Sequence, residues 1–594
     1  MTTSTETVDP TSVSTGEVEE QTYSKDYWDL VIEQLSRRQL FKVGMWILAV
    51  LYGLAIFAPL IGNDRPYKLV AIDYGSYDRA VGTLTPLTRA MGNRFAAATT
   101  PEALAEAAED GLREVEALTV RAETMSLYLS DADSEAMAWF VPRVVDFQSR
   151  AASGEIAFGA PMEAAVAELT AEVSALADEF VAAPYGADDS IVGKRLQPHT
   201  SYPLADGLGA ASVGFMILWI VLVTFPTWNR IWNRVGLGGD RERIRATRRA
   251  KWAVLTGLPL GGALLWFFAV GGGAPAFDLS PYKAGLTDGS IVAVQAPIMA
   301  PIPIGYSETH KEEGFRPPTW LSSSRLDVDG RYVEGLRVPK ADPVTGFLPP
   351  PAPVEVRFAE PWPNAPNRHL AGTDELGRDF MVRLLWGGRV SLAVGILSAV
   401  LLTVIGVVMG SVAGYFGGWV DIAIMRVIEI LQSTPAFFLI LASLSFIDPK
   451  KVGVPPIFVI VVVIALVRWT GAARLVRGEF LRLREQEFVL ASRALGFSNR
   501  RTIFKHVLPN ALGPVLVSAA FSVAAGILTE SAVSYLGFGV QHPEASWGSL
   551  VNESKSAEFW WVQVFPGVLI FITVTCYNLV GDAVRDALDP KMKV

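Results

Sequence analysis

Apolar residues gather along this chain in eight runs, at roughly 40–62, 208–226, 252–271, 387–414, 420–446, 455–475, 510–535 and 562–582. The hydrocarbon core of a bilayer is about 30 Å thick, so at about 1.5 Å per residue a crossing helix needs roughly 20 mostly apolar residues. The pattern therefore predicts an all-α polytopic membrane protein with about eight transmembrane helices.

Two long polar stretches interrupt the runs. Within 63–205, Thr100-Pro101-Glu102 reads as a helix start with proline in the first turn. Met162, Val166, Leu169, Val173, Leu176 and Phe180 then form an apolar seam of the kind that packs helix on helix. The stretch 273–386 is rich in proline and glycine, including Pro297, Pro301, Pro303 and Pro349-Pro350-Pro351, and is expected to be irregular with short strands. Ahead of the first run, residues 1–22 read as a polar tail. Tyr27, Trp28, Val31 and Leu35 suggest a short helix lying on the membrane surface, with an ordinary solvated helix as the alternative.

Charge orients this plan. The segment 229–251 holds Arg230, Arg234, Arg241, Arg243, Arg245, Arg248, Arg249 and Lys251 against Asp240 and Glu242, and 474–505 holds eight basic residues against three Glu. Basic loops stay in the cytoplasm. Eight crossings then place both termini in the cytoplasm and 63–205 and 273–386 outside. Between Asp73 and Asp189 there are 21 acidic and 7 basic residues, which read mainly as a solvated face.

The chain has 594 residues, 51% hydrophobic and 19% charged. A single cysteine, Cys576, excludes an intrachain disulfide framework. The five histidines are scattered and form no H-E-x-x-H pair, G-x-S-x-G is absent, and no G-x-x-x-x-G-K-[ST] loop is present to cradle a nucleotide. No catalytic residue, resident cofactor or metal site is expected.

Within the run at 387–414, Gly406, Gly410 and Gly414 fall four apart, giving one helix face on which another backbone can approach closely. From Trp469 to Asn510 the chain leaves the membrane as a basic, helix-forming stretch. Its string Phe488-Val489-Leu490-Ala491-Ser492-Arg493-Ala494-Leu495-Gly496, followed by Phe504-Lys505-His506-Val507-Leu508-Pro509-Asn510, resembles the cytoplasmic loop of binding-protein-dependent import permeases. Leu490 and Ser492 depart from that family's usual Glu and second Ala, and Glu487 lies one turn earlier. Three more strings resemble the second, C-type permease of dipeptide, oligopeptide and nickel importers. They are Gly372-Thr373-Asp374-Glu375-Leu376-Gly377-Arg378-Asp379, the stretch Glu530–Gln541 with Ser546-Trp547-Gly548, and Asn578–Pro590. Gly62-Asn63-Asp64-Arg65-Pro66 is similar to one oligopeptide-permease branch.

The resemblance covers about 369–594 and the first run, and implies a type I ABC importer permease core at 387–594 with a coupling loop at about 477–509. The remaining divisions are a cytoplasmic tail and interfacial helix (1–39), a first transmembrane helix (40–62), an acidic helical extracytoplasmic insertion (63–205), an extra helix pair with a basic loop (206–272) and a Pro/Gly-rich outer segment (273–386). The implied function is passage of peptides or related small solutes through the cytoplasmic (inner) membrane. A second permease, two ATPase subunits using ATP and Mg, an extracytoplasmic solute-binding protein and membrane lipid are the implied partners. Glu487, Ala491, Ser492, Arg493, Ala494, Gly496 and Pro509 would shape the ATPase contact. Glu530 either faces the partner permease or the pathway, or makes a structural hydrogen bond. A receptor-like or structural membrane protein is the alternative. A secondary transporter is disfavoured because 1–300 and 301–594 show no repeat.

Overall fold

The computed structural model describes residues 31, 34–129, 134, 138–180, 196–236, 241–270, 282, 285–286, 289–310, 314–318, 369–447, 451 and 453–588. The tail, most of the proposed surface helix and the Pro349–Pro351 run lie outside them.

Helix α1 (Gln39–Ile56) is the first crossing, and strand β1 (Leu69–Asp73) follows it. Four helices then build the insertion: α2 (Tyr74–Ala97), α3 (Pro101–Ser126), α4 (Phe140–Ala152) and α5 (Ala160–Glu179). Thr100 caps α3 by accepting from the Ala103 amide, with Pro101 in the first turn. The seam Met162, Val166, Leu169, Val173, Leu176 and Phe180 is buried in one core with Tyr77, Leu84, Met91, Phe95, Leu118, Met125 and Phe140. Strand β2 (His199–Ser201) returns beside β1, and β3 (Ile291–Ala293) pairs on its other edge, giving an antiparallel sheet of order β2-β1-β3. The insertion expected to be helical thus stands on a strand at each of its ends. The Trp386 indole donates to the Gly62 carbonyl at 3.0 Å and stacks on Tyr306, which ties this base to the C-terminal helices.

The extra pair is α6 (Ala210–Gly236) and α7 (Arg241–Val270). It docks on α1 through Trp219, whose indole donates to Ala49 O at 3.0 Å and fills the space that a Cβ on Gly53 would need. Arg389 reaches the same pair through the Ser212 hydroxyl at 3.0 Å.

The core comprises α8 (Phe380–Phe416), α9 (Gly418–Gln432), α10 (Ala436–Phe446), α11 (Pro456–Leu483), α12 (Glu487–Ala494), α13 (Leu508–Tyr535), α14 (Trp547–Asn552) and α15 (Trp560–Leu588). Among the described residues, seven helices are long and apolar enough to cross a membrane. The run at 420–446, expected as one helix, is instead α9 and α10 bent by 83°. Pro435 is the reason: it cannot donate to the helical ladder and disfavours helical geometry at Thr434. Asp421 of α9 pairs with Arg477 near one end of α11, whereas Ile440 of α10 packs among Val459–Ile464 near the other. The bent pair therefore lies along α11 and, counted as one broken span, would bring the crossings among the described residues from seven to eight.

Candidate functional site

Helix α11 carries the chain out of the bundle and α13 carries it back. Between them, Val489 of α12 is fully buried in a cluster with Tyr415, Val476, Phe480, Leu483, Val507 and Ala511. This single apolar anchor seats a short helix on the helix ends. The C-terminus of α12 is closed by paired backbone bonds, Phe497 N–H to Ser492 O at 3.1 Å and Gly496 N–H to Arg493 O at 2.9 Å. That arrangement places the residue after the C-cap in the left-handed region, and Gly496 has φ +74°.

The expected coupling residues divide by direction. Glu487, Ala491, Arg493 and Ala494 are exposed on α12. Arg493 lies over the Tyr415 ring at 4.8 Å, and the Tyr415 hydroxyl donates to Asn499 at 3.0 Å. Ser492 was also expected to help shape the ATPase contact. It is buried and donates to Val489 O at 2.8 Å, so it faces the core. Gly496 acts through its backbone, and Pro509 sits in the first turn of α13, where a missing amide costs little. Sequence reasoning passed over the apolar side chains this surface presents: Phe488, Leu490, Leu495 and Phe504 are all exposed. Their signal was available as apolar residues inside a strongly basic loop.

Gly406, Gly410 and Gly414 face α11. Added Cβ atoms would come within 2.5 Å of Ala472 Cβ, 2.4 Å of Ala473 O and 2.6 Å of Phe480 Cβ respectively. The side of α11 below them is pinned by Arg477, whose guanidinium binds both carboxylate oxygens of Asp421, one at 2.6 Å.

Glu530, for which a pathway or partner-facing position and a structural hydrogen bond were the two expectations, makes buried hydrogen bonds within the chain. It has no accessible surface in this chain, and it accepts from Ser391 of α8 at 2.9 Å and from Ser534 at 2.7 Å. The Ser391 hydroxyl in turn accepts from the Trp547 amide at 3.0 Å, so one carboxylate ties α8, α13 and α14 together.

A second polar node forms where the string Gly372–Asp379 meets the loop after α14. Asp374 accepts from the Leu376 and Arg378 amides at 2.8 and 3.0 Å and pairs with the side chains of Arg378 and the fully buried Arg383. Glu553 closes the group by pairing with both arginines. Two carboxylates thus balance two guanidiniums, as burial of charge requires. His542 accepts at Nδ1 from Arg378 at 3.2 Å; burial, then Arg378 and Arg383, hold its pKa below the ordinary histidine value. Sequence reading recognised the string without its partner, because Glu553 lies far off and in no local pattern. Among the described residues no group of three or more His, Cys, Asp or Glu side chains is placed to hold a metal ion.

Comparison with known proteins matches these features. The family described as binding-protein-dependent transport system inner membrane component matches residues 406–594, and the N-terminal TM domain of oligopeptide transport permease C matches 26–86. The oligopeptide transport system permease protein OppC of Bacillus subtilis is 42% identical over 227 residues, covering 38% of this chain and 72% of that protein. OppC of Haemophilus influenzae is 41% identical over 231 residues, covering 39% and 72%. The dipeptide transport system permease protein DppC of Bacillus subtilis is 40% identical over 228 residues, covering 38% and 69%. With its crossing helices, its buried core strings and these relatives, the chain belongs to the binding-protein-dependent transport system inner membrane components: it is a multi-pass permease subunit of an ABC importer.

Proposed function

We infer that this permease passes oligopeptides, dipeptides or similarly small solutes and receives its driving force at α12 from separate ATPase subunits. The substrate class is carried over from the relatives named for oligopeptide and dipeptide transport. The coupling role rests on α12: a short helix set on a buried valine presents Phe488, Leu490 and Leu495 outward. Exposed apolar clusters rimmed by charge mark protein contacts. ATP and Mg belong to the partners, since this chain has no phosphate-cradling loop. A second permease and an extracytoplasmic solute-binding protein complete the assembly, and alternating access follows from the two permeases rocking as the ATPases close.

The ion pair Arg38–Asp586, which joins the start of α1 to the end of α15, supports a shared side for these two helix ends. Gly581 of α15 lies against Phe521 of α13, and the start of α13 lies beside α12. On this reading both ends of the described chain lie on the side of the basic α12 loop, cytoplasmic by the positive-inside rule.

The test is a mild-detergent pull-down from cells expressing the chain, with Leu495→Asp and Phe504→Asp as variants. ATPase subunits should co-purify with the parent, and hydrolysis in the complex should respond to solute. The variants should lose the subunits or the response while the chain stays folded. Recovery of the parent alone would favour the receptor-like alternative.

A further inference from the structure

The structure assigns to Arg468 the choice of a partner: its guanidinium pairs with a carboxylate on a membrane helix of a different permease chain and disfavours a second copy of this one. The inference rests on the two-permease assembly proposed above. Arg468 is the thirteenth of the 28 residues of α11 and follows twelve residues without a charge. It stands about 9 Å along the helix short of Arg474, the next charged residue. Side chains on a helix lean toward its N-terminus, which in α11 is the end away from α12, so Arg468 leans toward mid-membrane and not toward the basic loop. The side chain is half-buried, its Nε is buried without a hydrogen-bond partner, and no acidic side chain among the described residues pairs with it. A cation at membrane depth is costly and calls for a partner that neutralises it.

The face that carries Arg468 suits another helix. Residues 461, 464, 468, 471, 475 and 478 step by three and four, the spacing of a helix-packing seam. In its first half, Val461 and Ile464 are buried in a cluster with Ile440 of α10 and Val533 of α13. In its second half the seam is uncovered: Leu475 is half-buried, Gly471 and Gly478 are exposed, and a Cβ added to either glycine would meet nothing within 4 Å. The 83° break accounts for the difference, because α9 diverges from α10 and holds α11 on another face, at Thr470 and Arg477. Small residues let a foreign backbone come close, and a single polar or charged residue in such a seam sets which helix does so.

Charge decides which chain that helix belongs to. On α8, α9, α10 and α13, the helices packed on α11, the carboxylates are Asp421, Glu429 and Glu530. Arg477 holds the first, Arg426 the second, and Ser391 and Ser534 the third. A second copy would therefore offer Arg468 no spare carboxylate from these helices, and two copies related by a two-fold axis along the membrane normal would bring their Arg468 residues to equal depth. A solute carboxylate serves less well, since a guanidinium never gives up its charge and would stand unpaired whenever no solute is bound. A fixed carboxylate on a different permease is present at all times.

For the test, the chain is co-expressed with the rest of its importer and with a differently tagged copy of itself, and both captures are scored by mild-detergent pull-down and size exclusion. The parent should capture the second permease and the ATPases, and little of its own copy. Arg468→Lys should behave alike. Arg468→Glu should lose the second permease about tenfold or more, and exchanging one membrane-depth Asp or Glu of that permease for Arg should restore it. Arg468→Leu removes the charge and adds none, so it should fold, lose the second permease and gain its own copy. Undiminished capture of the second permease by monodisperse Arg468→Glu overturns the inference; where that variant does not fold, the same result with Arg468→Leu does so. Loss with no rescuing exchange overturns the pairing, and normal assembly with lost transport in Arg468→Leu assigns the guanidinium to the solute instead. If the parent recovers neither second permease nor ATPases, the proposed assembly fails and this inference with it; if it recovers both and so do the variants, only the role of Arg468 fails.

Discussion

At the scale of single residues, backbone conformation and buried hydrogen bonds decide most. Gly496 occupies the left-handed region, and an added Cβ would meet nothing within 4 Å. Its requirement is conformational, costing about 1–2 kcal/mol for an ordinary L-residue. Gly496→Asn should therefore keep ATPase coupling close to the parent, and Gly496→Val should weaken it together with the thermal stability of the loop. Equal behaviour of the two in coupled ATPase and melting assays would discard the backbone explanation. Glu530 differs because its side chain does the organising. Glu530→Ala leaves the Ser391 and Ser534 hydroxyls without their acceptor, at about 1–3 kcal/mol for each buried group left unpaired. It should melt several degrees lower, whereas Glu530→Gln retains an acceptor and should assemble. A stable Ala variant that assembles but fails to transport would return Glu530 to the pathway.

His542 titrates in a group that contains Arg378, Arg383, Asp374 and Glu553. A histidine whose folded pKa is lowered supplies stability above its unfolded pKa, about 6.5, and loses it as the pH falls through the folded value. Melting temperature should decline with acidity below about pH 6.5, and His542→Gln should flatten that part of the profile. An unchanged slope would remove His542 as its source.

At the scale of elements, close approach governs the α8–α11 pair. A Cβ on Gly410 would lie 2.4 Å from Ala473 O, and carbonyl backbone cannot step aside as a flexible side chain can. Gly410→Val should abolish accumulation of folded permease, while Gly471→Ala, where an added Cβ meets nothing within 4 Å, should be tolerated. Fluorescence-detected size exclusion separates the two outcomes, and a monodisperse Gly410→Val would show that the contact is not needed. The glycine spacing was legible because a period of four is a local property. The partner helix was not, since nothing near residue 410 names residues 472–480. The α9–α10 break was misread for a related reason: hydropathy measures apolar length and is blind to direction, so 420–446 passed as one helix despite Pro435.

At the scale of the whole molecule, the insertion has a core of its own, and it leaves and rejoins the chain at neighbouring strands. Ala71 pairs with His199 in antiparallel register, so Asp73 and Gln197 stand where a hairpin turn would close. Replacing 74–196 by Asn-Gly, the pair favoured in two-residue hairpins, should leave a permease that still inserts and binds its ATPases. Failure to insert would make the insertion part of the permease fold. The membrane class, seven of the expected crossings, the basic loop and the family strings were legible in the sequence, because hydrophobic length, charge bias and short motifs are all written in neighbouring residues. It took tertiary packing to turn Glu530 and Ser492 inward, to bring Glu553 to the buried charge group, and to bend α9 from α10 by 83°. Those outcomes depend on which distant helices meet, and burial is a property of the meeting, not of either helix.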